Sequence, residues 1–252
     1  MKIGAQLFTL YDHTQTLDDL ANALARVADM GYTTVQVSGT CAFEPDWMKE
    51  QLQKNGLECV ITHSKAERMV EMPDTVFDEH AVFGCSRMGI GSCPIGVNDE
   101  GLAYFVNNLG PVAKHFKERG GKLYYHNHWR EFIRGEDNKR FMEKLCAAIP
   151  ADELGIILDT YWVQYSGSDV TDWIEKLTGR VDCVHFKDMS CFDNQPRMMP
   201  IGDGNMNRDK IIAACEKAGT KYALVEQDNC NGEDPFMCLK RSYDYLHSLG
   251  LK

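Results

Sequence analysis

Two histidines one residue apart close an apolar run in Leu123–Phe132, which reads L-Y-Y-H-N-H-W-R-E-F. Side chains two apart on a strand share a face, so His126 and His128 point together and Asn127 points away. An imidazole can serve as a general base near neutral pH or as a metal ligand. Three other apolar runs end in groups of the same kind. L-G-I-I-L-D ends in Asp159, V-D-C-V-H-F carries His185 and leads into Lys187, and A-L-V leads into Glu226 and Asp228. His63 closes a fourth run, E-C-V-I-T-H. Carboxylates are seldom buried without a partner. Asp159 and Glu226, emerging from apolar walls, therefore ask for a cation. One divalent ion ringed by histidine and carboxylates would satisfy them together, and mixed nitrogen and oxygen donors suit Mn, Co, Zn or Mg. Any one of these residues alone could equally be a satisfied structural polar group. The reading rests on the agreement of four strand ends.

The elements that must position these groups alternate along the chain. Short strand-like runs at Ile3–Leu7, Thr34–Val37, Glu58–Thr62, Arg87–Ile90, within Leu123–Phe132, Leu154–Asp159, Val181–Phe186 and Tyr222–Val225 are separated by helical patterns. The helices carry recognisable ends: a Thr16 cap and Gly31 stop, Pro45 to Asn55 closed by Gly56, Pro73 to Phe83, and a long helix from about Asp99 to Arg119. Further on come Asn138–Ala148, a start near Ser168-Asp169, Asn207–Ala218, and a start at Asp234-Pro235 that runs to Gly250. Eight strand–helix repeats in a 252-residue chain favour a single (β/α)8 barrel spanning residues 1–252 over an open doubly wound sheet. In such a barrel, groups at the C-terminal ends of strands face one shared mouth.

Composition narrows the partners. A net charge of −10 argues against general nucleic-acid binding, which needs a basic footprint. No stretch approaches the roughly 20 apolar residues of a membrane span, and the opening M-K-I-G-A-Q reads as strand, not as a leader. The ten cysteines include no C-x-x-C pair, which suits reduced thiols in a cytoplasmic protein better than a disulfide frame or zinc knuckle. Apolar surface on the long fourth helix could support a homo-oligomer.

Taken together, Y-H-N-H-x-x-E-F (Tyr125 to Phe132), L-D-T-Y-W-V (Leu158 to Val163), H-F-K-D (His185 to Asp188), I-G-D-G-N (Ile201 to Asn205) and V-E-Q-D (Val225 to Asp228) resemble the xylose-isomerase-like TIM-barrel superfamily of sugar phosphate isomerases and epimerases. The resemblance covers essentially the whole chain. It implies one divalent metal bound by a carboxylate after the fifth strand, an aspartate after the sixth, a histidine on the seventh and a glutamate after the eighth. The last three match Asp159, His185 and Glu226. At the fifth strand the chain departs from the pattern: His126 stands where the epimerases place a glutamate. Either His126 is the ligand, as its position suggests, or Glu131 reaches in from the loop.

The implied activity is a metal-dependent isomerase or epimerase acting through an enediolate on a sugar or keto-sugar. The His126-Asn127-His128 pattern also resembles the members that are lyases or dehydratases on keto-inositols or 3-keto-glycosides. A degenerate sugar-binding barrel is a third reading. The apurinic-site endonucleases of the superfamily fit least, because Tyr161 and Trp162 follow Asp159 where a further histidine ligand would stand. Glu226, His126 or His128 would move the proton, and Lys187 would hold an oxyanion or, alternatively, pair with Asp188 at the rim. His63, Glu131, Trp162 and Asp228 are candidate substrate contacts, with Trp162 and Phe132 as a possible apolar wall and Gly202-Asp203-Gly204 as a loop over the substrate. If the thiols are all reduced, a thiol reagent in denaturant should count ten without prior reduction. A count lower by two would reveal a disulfide.

Overall fold

The computed structural model describes residues 1–252. Seven parallel strands come first: β1 (Lys2–Gln6), β2 (Thr34–Val37), β3 (Glu58–His63), β4 (Arg87–Ile90), β5 (Lys122–His126), β6 (Leu154–Asp159) and β7 (Cys183–Phe186). An antiparallel hairpin, β8 (Asp188–Phe192) and β9 (Gln195–Met199), precedes the last barrel strand, β10 (Tyr222–Val225). Strand β10 pairs with both β1 and β7, so the eight-stranded sheet closes. This is the expected (β/α)8 barrel.

The helices are α1 (Leu17–Asp29), α2 (Pro45–Asn55), α3 (Ala66–Glu71), α4 (Pro73–Val82), α5 (Asp99–Tyr104), α6 (Gly110–Glu118), α7 (Phe141–Ala148), α8 (Thr160–Tyr165), α9 (Val170–Lys176), α10 (Arg208–Ala218) and α11 (Pro235–Ser248). Their starts follow local chemistry. Thr16, Asp169, Asn207 and Asp234 each accept a backbone N–H of the first turn, which satisfies donors that have no partner inside the helix. The expected long helix is α5 and α6 joined by a π-turn at Phe105–Leu109. Pro111 has no N–H to give the preceding turn, and the wider π-turn absorbs that break in the ladder. No large hydrophobic residue of this helix is exposed, so the apolar face expected there for an oligomer is absent. The large apolar side chains that are exposed include Phe8, Ile95, Trp129, Tyr165 and Phe192, each on a segment that follows a barrel strand.

Several elements have no counterpart in the sequence reading: a 3₁₀ segment at Leu7–His13, helices α3 and α8, and the β8–β9 hairpin. The hairpin did leave a signal. Asp193 and Asn194 both have positive φ, the conformation that a two-residue turn needs and that Asp and Asn tolerate.

Two apolar layers hold the barrel. A large outer core lies between sheet and helices. Inside the sheet, Val60, Ile61, Tyr124, Ile157, Cys183, Tyr222 and Leu224 form a separate cluster. Tyr124 fits because its neighbour across the β5–β6 ladder is Gly155, where an added Cβ would strike the tyrosine ring. Gly155→Val should therefore overpack the barrel, costing roughly 1–3 kcal/mol, read as a lower midpoint in chemical denaturation. A midpoint equal to wild type would show that the ring can move aside.

Candidate metal centre and active site

The inner apolar layer sets the register of the site. Residues two apart share a face, so Tyr124 places His126, Ile157 places Asp159, Cys183 places His185, and Leu224 places Glu226 at the C-terminal mouth. Asp159 and His185 are direct partners across the β6–β7 ladder. On β3 the register slips by one against β2, leaving Val60 as the extra residue. Such a bulge re-aims the side chains beyond it. Ile61 and then His63 consequently face inward.

One donor atom from each of His126, Asp159, His185 and Glu226 lies within 4.8 Å of the others, and all four residues are buried. His126 Nδ1 lies 3.1 Å from the Gly91 carbonyl oxygen, and its Nε2 lies 3.3 Å from Asp159 Oδ2. His185 Nε2 lies 2.7 Å from Gln36 Oε1. The carbonyl oxygens can only accept, so they fix the proton on the outer nitrogen of each neutral ring. On the neutral rings both inner nitrogens present lone pairs toward carboxylates, and Asp159 also favours a proton on His126 Nε2, which a bound cation would displace. His185 Nδ1 and Glu226 Oε2 are 2.8 Å apart yet misaligned for a hydrogen bond; His185 Nδ1 has no other partner, and Glu226 Oε2 meets the Lys187 ammonium at 2.8 Å. Lone pairs converging in this way fit a divalent cation. The protein thus offers an N2O2 donor set that could hold a metal.

Lys187 supplies the charge that this cluster otherwise lacks. It is 1% exposed, and its Nζ lies 3.0 Å from Asp159, 2.8 Å from Glu226 and 2.9 Å from Asp228. Burial presses its pKa down, but the three carboxylates outweigh burial and hold it above the ordinary lysine value. Burial likewise pushes Glu226 up, and Lys187 and His185 reverse this, holding it well below the usual carboxylate range. Asp228, pushed up by burial and by Glu226, reaches about 6. His126 is pressed down by burial but held above its ordinary value by Asp159. His128 is lowered by burial and by His126 to about 4, and His63 falls well below the ordinary value for the same two reasons.

A cavity of about 340 Å³ opens onto the cluster and is lined by His63, His126, His128, Lys187, Glu226 and Asp228 among others. His63 bonds Ser38 Oγ through Nδ1 at 3.1 Å and leaves Nε2 unpartnered. Trp162 packs 5.6 Å from the His128 ring and lies beneath the Lys187 ammonium at 5.7 Å. Its backbone N–H donates to Asp159 Oδ1, which caps α8 and leaves Oδ2 for the cluster.

Other sequence candidates fall elsewhere. Glu131 is buried but turned away from the cluster, accepting from the Tyr125 hydroxyl at 2.5 Å and the His128 N–H at 3.1 Å. It braces the strand-five loop, and the fifth-strand donor in the cluster is His126. Phe132 is not a wall of the mouth; it packs on Trp173 at 4.9 Å in the outer core. Lys187 does not pair with Asp188. That carboxylate takes Arg208 at 2.8 Å and the Gly202 N–H at 3.0 Å. A Cβ at Gly204 would strike Asp188, so this glycine serves a close approach to Asp188. Gln36, Ser38 and the Gly91 carbonyl were missed. A glutamine in the apolar strand T-V-Q-V was the available signal, because a buried amide needs a partner.

The family model for the xylose isomerase-like TIM barrel matches residues 24–237. The chain belongs to this family. Inosose dehydratase of Clostridium perfringens (strain ATCC 13124) is 32% identical over 88 residues, which span 35% of this chain and only 28% of that protein. Among solved structures, a sugar phosphate isomerase/epimerase from Parabacteroides distasonis ATCC 8503 superposes with TM-score 0.82 at 22% identity, covering 98% of this chain and 93% of that one. L-ribulose 3-epimerase superposes with TM-score 0.77 at 15% identity, covering 100% and 95%. Resemblance at these identities is one of fold.

Removing the ammonium would leave three carboxylates facing one another. Lys187→Met should destabilise the chelator-treated protein by about 3–5 kcal/mol. Saturating Mn²⁺ or Zn²⁺ should raise its melting temperature more than that of wild type, by mass action. Equal metal-induced shifts in the two proteins would argue that the carboxylates do not meet a cation.

Proposed function

We propose that this chain is an enzyme that enolises a hydroxylated carbonyl compound, a sugar or keto-sugar, as an isomerase or epimerase with one divalent metal. The observation that supports the reading is the convergence of one potential ligand atom each from His126, Asp159, His185 and Glu226 at the floor of a polar cavity. When bound, a metal there would supply Lewis acidity to a carbonyl and its neighbouring hydroxyl and so favour the enediolate.

The remaining work falls to the chain's own groups. His128 faces the cavity and is unprotonated at neutral pH, so it can accept a proton from carbon. Glu226, held ionised, is the other base in reach of the cavity. Lys187 keeps positive charge beside any oxygen that gains negative charge, and it can exchange its contact with Asp228 for one with substrate. His63 Nε2 is free for a substrate hydroxyl. Gln36 and Gly91 hold the two imidazoles in orientation.

Elimination, in which a neighbouring oxygen leaves after the same proton abstraction, is the second reading. One observation favours it. With His126 at the fifth strand and Glu131 turned away, the cavity holds a single glutamate, not the pair that a symmetrical two-face epimerisation would use. A protein named for elimination of water, an inosose dehydratase, shares 32% identity with this chain over 88 residues.

The test is exchange of substrate α-protons in D2O, followed by NMR across a panel of ketoses and keto-inositols. Metal content is measured on the same preparation. Wild type should exchange, and both Asp159→Asn and His128→Ala should lose about 100-fold or more, with metal lost in Asp159→Asn. A rising enone absorbance would assign elimination, and a new sugar without it would assign isomerisation. A chain that takes up no Mn, Co, Zn or Mg and exchanges nothing would sink the proposal.

A further inference from the structure

The mouth extends beyond the cavity over the cluster. A second compartment of about 300 Å³ shares Ser92 and His128 with the first and is walled by Trp129 and Trp162. Each compartment is at the low end of the roughly 300–1,000 Å³ range of small-ligand sites. Trp129 is 36% exposed, so part of its indole is uncovered beside this compartment. Trp162 lines the same compartment, with its indole N–H buried. Flat aromatic walls suit a sugar ring, which has an apolar C–H face.

Charge at the first compartment decides what class of sugar enters. Lys187 is the one cation of its lining, and three carboxylates already hold it. A dication added to this floor brings the total of Asp159, Glu226, Asp228 and Lys187 to zero, leaving no surplus for a phosphate. In the second compartment Arg130 is the one cation, and it lies 5.2 Å over the Trp129 ring.

We propose that Trp129 and Trp162 form a second sugar subsite, and that the substrate is an uncharged glycoside of at least two rings instead of a sugar phosphate. One ring lies over the cluster and the next lies against the tryptophans. The proposal rests on the functional reading above and narrows its substrate.

The experiment is saturation-transfer NMR and tryptophan fluorescence on the metal-loaded protein. The probes are glucose, glucose 6-phosphate, cellobiose, maltose and sucrose. At least one disaccharide should bind tighter than glucose and than glucose 6-phosphate. Trp129→Ala should reduce that preference over glucose on the order of tenfold, and Trp129→Phe should restore most of it. Preference for glucose 6-phosphate, equal binding of one and two rings, no binding of any disaccharide, or a preference unmoved in Trp129→Ala would each overturn the inference. Metal content and α-proton exchange on monosaccharide ketoses are read separately. A protein that passes those and fails here loses the subsite and keeps its proposed function. One that binds two rings but neither holds metal nor exchanges protons keeps the subsite and loses the function.

Discussion

A buried ammonium among three carboxylates is the constraint on which the mouth of this barrel depends. Lys187 follows β7, Asp159 ends β6, and Glu226 and Asp228 follow β10, so one charge cluster ties three neighbouring strand ends together. Burying such charges costs several kcal/mol per ion unless geometry and hydrogen bonds compensate. The compensation here is ordered by what lies beneath. The inner layer of Tyr124, Ile157, Cys183, Tyr222 and Leu224 fixes the strand faces, and His126, Asp159, His185 and Glu226 each emerge two positions beyond one of those side chains. A slip of one residue in any of these strands would turn its charge into the outer core.

The two imidazoles show how the same scaffold tunes a donor set. Each is anchored on its outer nitrogen by a group that can only accept, Gly91 carbonyl for His126 and Gln36 Oε1 for His185. The inner nitrogens are left to the carboxylates. Asp159 divides its work, one oxygen capping α8 and the other facing the cluster. Arg208 and Asp188 form a separate buried pair that grips the Lys187 carbonyl and so steadies the backbone carrying the ammonium. A barrel wall that is apolar below and polar at its rim is what allows related barrels to run different reactions by changing a few rim residues.

How much of this could be read from the chain depends on the range of the interaction responsible. The alternation of strands and helices, the caps at Thr16, Asn207 and Asp234, and the apolar runs ending in His126, Asp159, His185 and Glu226 are local patterns, legible one segment at a time. The long helix was legible in extent but not in its π-turn, and the hairpin at Asp193-Asn194 was legible only as a turn signal.

The sequence by itself determined the barrel and pointed to three members of the cluster, Asp159, His185 and Glu226, because strand periodicity and the polarity of strand ends are properties of neighbouring residues. Only the tertiary structure decided between His126 and Glu131, since that choice turns on whether the Tyr125 hydroxyl captures the glutamate. It alone moved Lys187 from a rim partner of Asp188 to the centre of three carboxylates 28 to 41 residues away in sequence. It alone turned His63 inward, through a bulge at Val60 that no count of alternation on β3 could reveal. For Lys187 and His63 the deciding partners lie on other strands, and only assembly of the sheet brings them within reach; for Glu131 the partner is Tyr125 of the preceding strand, met because the loop folds back on it.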